Sequence, residues 1–416
     1  MTSPRKALFA VLVIISLLLA DHTCLGIEKI AADQGAEICI TVEQSYHGQL
    51  GIGTGLGMVE KWCALPMFKF SEEGGIDGWI SRKCDDCHIG AAWNPNKPTV
   101  NCLACHPSVR QAASGNFTVE APTVRQCLSC HRKDTEKRGD FFDPNQDVHL
   151  GLYSQGSCQS CHISCDHQIA KGTVVDTSEP TKTDPVVSCT MSGCHPATPH
   201  SDAAESGKSI CEPACLDRHC QKVACESCHT DTRTRSELAL ASRDWTRFKG
   251  GQPISQKHEP GWLPVYKWYD GRGPSPAYHY VPILDFAERK ESAGAKIYPF
   301  NVISITWLIK SEDSDLDDII PTAKVRAAAR PDPEDPALLI TTEADMRTYD
   351  DPNDADHLPD YPKATLITRQ MNFNLSHSIR PKEEALACSD CHGQGGRKLL
   401  DWYKLGYKQG DPWGER

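Results

Sequence analysis

Six times along this chain a cysteine is followed three places later by a second cysteine and then directly by a histidine. The frames are Cys84, Cys87 and His88; Cys102, Cys105 and His106; Cys127, Cys130 and His131; Cys158, Cys161 and His162; Cys225, Cys228 and His229; and Cys388, Cys391 and His392. A seventh, Cys189, Cys194 and His195, has four residues between its cysteines where the others have two. With 21 Cys and 17 His in 416 residues, chance supplies about one Cys-His dipeptide. The frame matches the chemistry of covalent haem c attachment: two thiols add across the porphyrin vinyl groups, and the next residue turns an imidazole onto the iron. Structural zinc needs four converging ligands and has no use for a histidine fixed behind each second cysteine. A redox thiol pair would be one copy beside a parallel-sheet pattern, which is not the arrangement here.

Apolar residues make up only 39% of the chain, thin for a conventional core at a length suited to two or three domains. Porphyrin faces would then supply the missing interior. The expected fold class is a multihaem cytochrome c fold, mainly short α-helices and irregular loops packed around stacked haems, with minor β in a haem-free insert. The cysteine map divides the chain into a signal peptide (1–23), an N-terminal haem-free segment (24–83), a six-haem core (84–240), a haem-free insert (241–370) and a C-terminal segment with the seventh haem (371–416). Aromatic and proline-rich runs at 261–284 and 298–309 predict short strands and turns over haem edges. The acidic tracts at 311–318 and 350–360 lack the spaced ligands and central glycine of an EF-hand and are expected to be solvated loops. Spacings between frames differ, which argues against a solenoid.

Arg5 and Lys6 precede an apolar run from Ala7 to Leu19, the pattern of a secretory signal, with an uncleaved anchor as the alternative. The expected location is extracytoplasmic, periplasmic or secreted, where haem c is attached and where oxidising conditions suit spare thiols. A net charge of −11 makes nucleic acid an improbable partner.

What fills each iron's sixth position decides between a wire and a catalyst. Ten histidines lie outside the frames: His22, His47, His149, His167, His200, His219, His258, His279, His357 and His377. His149, His167, His200, His219 and His377 sit beside frames and are expected to be distal ligands, with His47 next. That provides six histidines for seven irons.

Taken together, "KCDDCHIGAAWNPN", "DVHLGLYSQGSCQSCH", "DHQIAKG", "CHPATPH", "KVACESCH", "VYKWYDG" and "SIRPKEEALACSDCHGQGGRK" resemble, in order, the octahaem tetrathionate reductase family of periplasmic c-type cytochromes, distant relatives of hydroxylamine oxidoreductase. The resemblance runs from about residue 60 to 400. It implies that Lys137, in "TEKRGDF", is the distal ligand of the haem at Cys84, Cys87 and His88, and that this is where chemistry occurs. A neutral amine binds iron more weakly than imidazole and can give way to a substrate, but it must first lose its proton. The resemblance places Cys63 beside the same haem, as a catalytic sulfur or as a buried thiol or half of a disulfide. The chain also departs from the family. The first of eight attachment frames is missing, although Cys39 and His47 remain; Arg138 stands where a histidine is frequent; and Lys61 and Trp62 precede Cys63 where an asparagine is expected.

Two functions follow from these readings. In one, electrons pass through bis-histidine haems to a Lys137-ligated haem that reduces a small sulfur or nitrogen compound of the tetrathionate, nitrite or hydroxylamine class, with Lys61, Arg82, Lys83 and Arg138 as anion-binding candidates. In the other, all seven haems are six-coordinate and conduct between partners or to an extracellular acceptor. Expected partners are redox proteins, whether cytochromes or a quinol-linked module, a small oxyanion, and a second copy of the chain in a homo-oligomer. Cys24, Cys39, Cys63, Cys165, Cys211, Cys215 and Cys220 lie outside the frames, and "CEPACLDRHC" has room for a short disulfide that sets up His219.

Overall fold

The computed structural model of the chain describes residues 29–30, 102–111, 117–139, 145–152, 158–165, 167–170, 187–191, 193–200, 213–230, 239–269, 290–291, 294–312, 320, 322–352, 358–393 and 399–412. The proposed signal, Cys24, Cys39, His47, Lys61, Cys63, Arg82, Lys83, Cys84, Cys87, His88, Cys211, His279 and His357 lie outside the described residues. The chain divides into two compact units, one of Met1–Ile52, Glu73–Cys130 and Ser157–Ala170, the other of Gly53–Glu72, His131–Gly156 and Lys171–Arg416.

In the first unit β1 (Lys29–Ile30), β2 (Val109–Gln111) and β3 (Phe117–Val119) form an antiparallel sheet in the order β1-β3-β2. A second hairpin pairs β4 (Ser164–Cys165) with β5 (Gln168–Ile169). Each hairpin directly follows a cysteine frame, and that placement matters for the site.

Helix α1 (Val124–Arg138) starts on a sequence signal: Thr123 and Gln126 stand at the N-cap and N3 positions, and the Gln126 side chain accepts from the Thr123 backbone N–H at 3.2 Å. Its last turn carries Lys137 and Arg138, whose charges suit the negative end of the helix dipole. The helix stops at Gly139, with φ +66°, where a Cβ would stand 3.0 Å from both Ala239 and Trp262.

The second unit continues with three short helices, α2 (Val148–Leu152), α3 (Pro213–His219) and α4 (Glu226–His229). Its main body is a seven-stranded sheet of β6 (Leu240–Lys249), β7 (Gln252–Lys257), β8 (Val265–Tyr269), β9 (Lys296–Ile309), β10 (Arg330–Pro331), β11 (Leu338–Ile340) and β12 (Thr365–Asn374). The order is β10-β11-β6-β9-β12, with β7 on β6 and β8 on β9. Only β6 and β9 run parallel; the remaining pairs are antiparallel. Between the strands lie α5 (Thr322–Ala327) and α6 (Glu343–Arg347), and α7 (Cys388–Cys391) forms the last frame.

This sheet corrects the expectation of minor β. The run at 298–309 lies within a 14-residue strand, not a short one, and it keeps ten residue pairs in register with β12 from Thr365↔Ile309 to Asn374↔Phe300. The cause is in the residues: Ile303, Ile305, Trp307 and Ile309 alternate onto one face and pack with Leu240, Trp245 and Phe373. A second cluster joins Tyr266, Trp268, Tyr269, Ile297 and Phe300 to Leu399 and Leu405, and a third gathers Phe248, Leu308, Ile320, Val325 and Met346. Burying each such side chain is worth about 1.5–3 kcal/mol, so this part of the chain has a polypeptide core of its own. Among the described residues no helix is long and apolar enough to cross a membrane.

Candidate functional site

Every frame described in full has the same backbone turn. The histidine N–H donates to the first cysteine's carbonyl at 2.9 Å in Cys102–His106, 2.8 Å in Cys158–His162, 3.0 Å in Cys225–His229 and 2.8 Å in Cys388–His392. The seventh frame closes likewise, His195 N–H to the Cys189 carbonyl at 3.1 Å, and its two extra residues are absorbed by a turn in which Cys194 donates to Met191 at 3.0 Å. Both cysteines and the imidazole are thereby displayed from one tight loop. None of these cysteines is half of a disulfide, which removes that reading for them. Burial pushes Cys228 and Cys391 up to about 12, so neither is the ready thiolate of a redox pair.

Frames cluster within each unit. In the first unit Cys127 hydrogen-bonds Cys158, and that bond together with burial and nearby Cys105 raises it well above an ordinary thiol. In the second, the Cys189 hydrogen bond brings Cys225 down to about 7 against the opposing effect of burial.

The imidazoles form facing pairs. Ring centroids are 6.3 Å apart for His106 and His167, 6.1 Å for His149 and His195, 6.4 Å for His200 and His229, and 6.2 Å for His219 and His392. That is too far for ring contact. One metal ion between two imidazoles requires it: a metal–nitrogen bond of about 2 Å plus about 1.1 Å from nitrogen to ring centre, on both sides, comes to about 6.2 Å. In three pairs the rings are near-perpendicular, at 81°, 81° and 73°; His200 and His229 are within 12° of parallel.

The hairpins and short helices explain how these rings are aimed. After Cys102–His106, the β2–β3 hairpin is prolonged by Glu120 N–H to the Ser108 carbonyl, and the Glu120 carbonyl accepts from His106 Nδ1–H at 2.7 Å. After Cys158–His162, the β4–β5 hairpin is prolonged by Ala170 N–H to the Ile163 carbonyl, and the Ala170 carbonyl accepts from His162 Nδ1–H at 2.8 Å. His167 occupies the turn of that hairpin in the left-handed region, φ +62°, which turns its ring toward His106. Since a carbonyl only accepts, the proton is on Nδ1 and Nε2 is left as the metal-binding nitrogen.

Two aspartates, Asp217 and Asp411, do the same work in the second unit. Asp217 Oδ1 accepts from His200 Nδ1–H at 3.1 Å and from the His200 backbone N–H at 3.0 Å. Asp411 accepts from His392 Nδ1–H and from the Gly393 N–H, both at 2.6 Å. Asp147 caps α2 by accepting from the His149 and Leu150 N–H groups at 2.9 and 3.3 Å, with His149 Nδ1 at 3.6 Å. Burial would raise Asp147, but bonds from His149, Ile379 and Leu150 outweigh it and hold the carboxyl below its usual range. His200, Asp217 and Cys220 bring three metal-ligating atoms within 4.8 Å of one another. The carboxylate is already engaged by His200 Nδ1–H, so this cluster orients the imidazole. Cys220 is a free thiol with Sγ 3.9 Å from His200 Nδ1, so the loop is set by Asp217 and not by a disulfide through Cys220. The side chains of Cys165 and Cys215 lie outside the described part.

Strand β9 holds the Cys225–His229 frame in place. Ala224 and Lys222 exchange backbone bonds with Ile297 at 3.0 and 2.8 Å, and Ser227 Oγ donates to the Ile297 carbonyl at 2.7 Å. The segment before the last frame is tied to the same place, Arg380 N–H to the His229 carbonyl at 2.8 Å and Leu386 N–H to the Cys228 carbonyl at 3.0 Å. His377 is half-buried in this segment, and Trp402 stacks on His392 at 5.0 Å.

Lys137 is 1% exposed, with Nζ 5.8 Å from the Phe373 ring centroid. Its carbonyl accepts from Asn301 Nδ2, which also donates to the Leu240 carbonyl at 2.9 Å, while Asn301 Oδ1 accepts from His258 Nε2–H at 2.8 Å. His258, stacked on Trp262 at 4.6 Å, is thus tied to the sheet through Asn301. Arg138 departs from its expected role in binding an anion: it is 4% exposed and donates to the Asn374 carbonyl and side chain, which anchors α1 to β12. The supports that sequence reasoning missed are Asn301, Asp147, Asp217 and Asp411; Asp147 and Asp217, each two residues before a recognised histidine, lay near a signal.

The family described as bacterial cytochrome c matches residues 239–395. No curated protein matches the sequence. The crystal structure of octaheme cytochrome c from Shewanella oneidensis is similar over 94% of this chain and 97% of that one, at 21% identity and a TM-score of 0.51. With repeated cysteine–histidine turns, facing imidazoles and this match in shape, the chain has the fold of a multihaem c-type cytochrome.

Proposed function

We propose that the protein is an extracytoplasmic electron-transfer cytochrome carrying seven haems c, conducting through bis-histidine irons between redox partner proteins. The observation that carries this reading is the set of four imidazole pairs with centroids 6.1 to 6.4 Å apart. The pairs fit iron between them, one Nδ1 in each of three pairs, at His106, His200 and His392, is engaged by a protein acceptor, and each pair contains one frame histidine. His106, His195, His229 and His392 would be proximal ligands, facing His167, His149, His200 and His219; His88, His131 and His162 would be proximal in the other three. When bound, haem supplies a one-electron couple, and two strong imidazole ligands leave no position for substrate. The chain's contribution is to aim the rings, hold their protons on Nδ1 and keep the pairs fixed.

A second reading, a reductase of small sulfur or nitrogen compounds, is favoured by the burial of Lys137 at the end of α1. Coordination needs the free amine, and removal of an amine from water favours that form. Cys63 and the haem at Cys84, Cys87 and His88 belong to this reading.

Denatured mass should show seven haem adducts, and six would remove the Cys189–Cys194 site. For the conductor, ferric spectra are wholly low-spin and indifferent to cyanide or nitrite. One displaceable iron, altered selectively by Lys137→Ala, together with viologen-linked turnover of tetrathionate, nitrite or hydroxylamine, would transfer the protein to the reductase reading.

A further inference from the structure

Imidazoles of the frames and of the facing pairs are held by two chemically different acceptors. In the first unit His106 and His162 donate to neutral backbone carbonyls, Glu120 and Ala170, at 2.7 and 2.8 Å. In the second, His200 and His392 donate to carboxylates, Asp217 and Asp411, at 3.1 and 2.6 Å. Both aspartates also hold a backbone N–H of the same segment, at His200 and Gly393, so neither swings away from its ring. The Asp217 and Asp411 side chains are only 8% and 19% exposed, which limits screening of their charge by water.

A carboxylate on Nδ1–H makes an imidazole a stronger electron donor through Nε2 than a carbonyl does, and a negative charge beside the site adds to the effect. Both favour ferric over ferrous iron. We propose that Asp217 and Asp411 are positioning residues that set a step in potential along the protein: the haems at Cys225–Cys228 and Cys388–Cys391 are the low-potential members, and those at Cys102–Cys105 and Cys158–Cys161 reduce first. This rests on the bis-histidine reading. With haem bound, one electron from the reductant would convert ferric to ferrous iron at each site, while Asp217, Asp411 and the Glu120 and Ala170 carbonyls keep the Nδ1 proton on its ring. At equilibrium an electron therefore favours the haems at Cys102–Cys105 and Cys158–Cys161 over those at Cys225–Cys228 and Cys388–Cys391.

Among the described pairs, the rings of His200 and His229 alone are parallel, and they provide a spectroscopic label. Parallel imidazole planes give a rhombic low-spin ferric signal, whereas near-perpendicular planes, as in the other three pairs, give highly axial ones. The test is a mediator-linked potentiometric titration of the holoprotein followed by electron paramagnetic resonance. In wild type the rhombic signal should be among the last to disappear as potential falls. Asp217→Asn keeps the shape and the backbone bond but removes the charge. It should make the rhombic haem at least tenfold easier to reduce, a rise of about 59 mV for one electron, with the axial signals unmoved. Asp411→Asn should shift one axial signal in the same sense, and it serves if Asp217→Asn loses haem. Remote Asp345→Asn should shift none. A rhombic signal that disappears first in wild type, or midpoints unchanged in both variants, overturns the proposal. Loss of the low-spin spectrum in wild type would instead overturn the bis-histidine reading beneath it.

Discussion

The stretch from 102 to 230 and the sheet from 239 to 374 are built on different principles. Among the described residues, the buried apolar side chains of the first stretch are Ala170 and Ala224, while the sheet buries Trp245, Trp268, Trp307, Phe248, Phe300 and Phe373 almost completely. Two alanines do not offset the entropy of ordering such a stretch. Its turns, each closed by a histidine N–H on a cysteine carbonyl, make sense as mounts for a large apolar group bonded to them. The sheet has its own interior.

The sharpest attempt to break this contrast is to make the protein without haem attachment and follow amide hydrogen exchange. We expect β6, β9 and β12 to keep their protection and the amides of 102–111, 158–170 and 213–230 to exchange at nearly unfolded rates. Equal protection of both would abolish the distinction. Next in size, Trp307→Ala should lower the stability of the sheet by about 3–5 kcal/mol in denaturant unfolding, with the low-spin spectra of the folded holoprotein unaltered. Asn301→Ala strips partners from His258 Nε2 and from the Lys137 and Leu240 carbonyls, and should cost about 1–3 kcal/mol in the same measurement. If Lys137 ligates iron, that variant should also change one haem spectrum; Trp307→Ala should not.

The smallest effect concerns the capping box of α6, where Thr342 and Asp345 bond reciprocally and Arg330 pairs with Asp345 at 3.0 Å. Thr342→Ala should cost about 1 kcal/mol. Burial works to raise Asp345, but bonds from Thr342 and Arg330 prevail and hold it below the usual carboxyl range. A depressed carboxyl stabilises above its unfolded value and ceases to as pH falls through its folded value. Acid denaturation of Asp345→Asn should therefore lack that part of the slope, and an unchanged slope would show that the box contributes nothing.

The cysteine frames were legible because covalent chemistry demands a fixed local spacing, and His149, His167, His200 and His219 stood out by lying near them. Which ring faces which was not legible: His392 faces His219, far away in sequence, through folding that no local pattern encodes. The carbonyl acceptors were hidden for a different reason, since every residue has one and only a hairpin's register selects Glu120 or Ala170. The sheet was underestimated because overall apolar content averages two unlike regions, although the alternation in "NVISITWLI" was open to view.

Helix α3 is less than two turns long, yet it carries both Asp217, which grips His200, and His219, which faces His392. Two redox centres thus hang from one small rigid lever. Any tilt of that segment disturbs both together, so selection on either centre restrains the other, and neighbouring substitutions there will show themselves as paired changes in colour and reactivity.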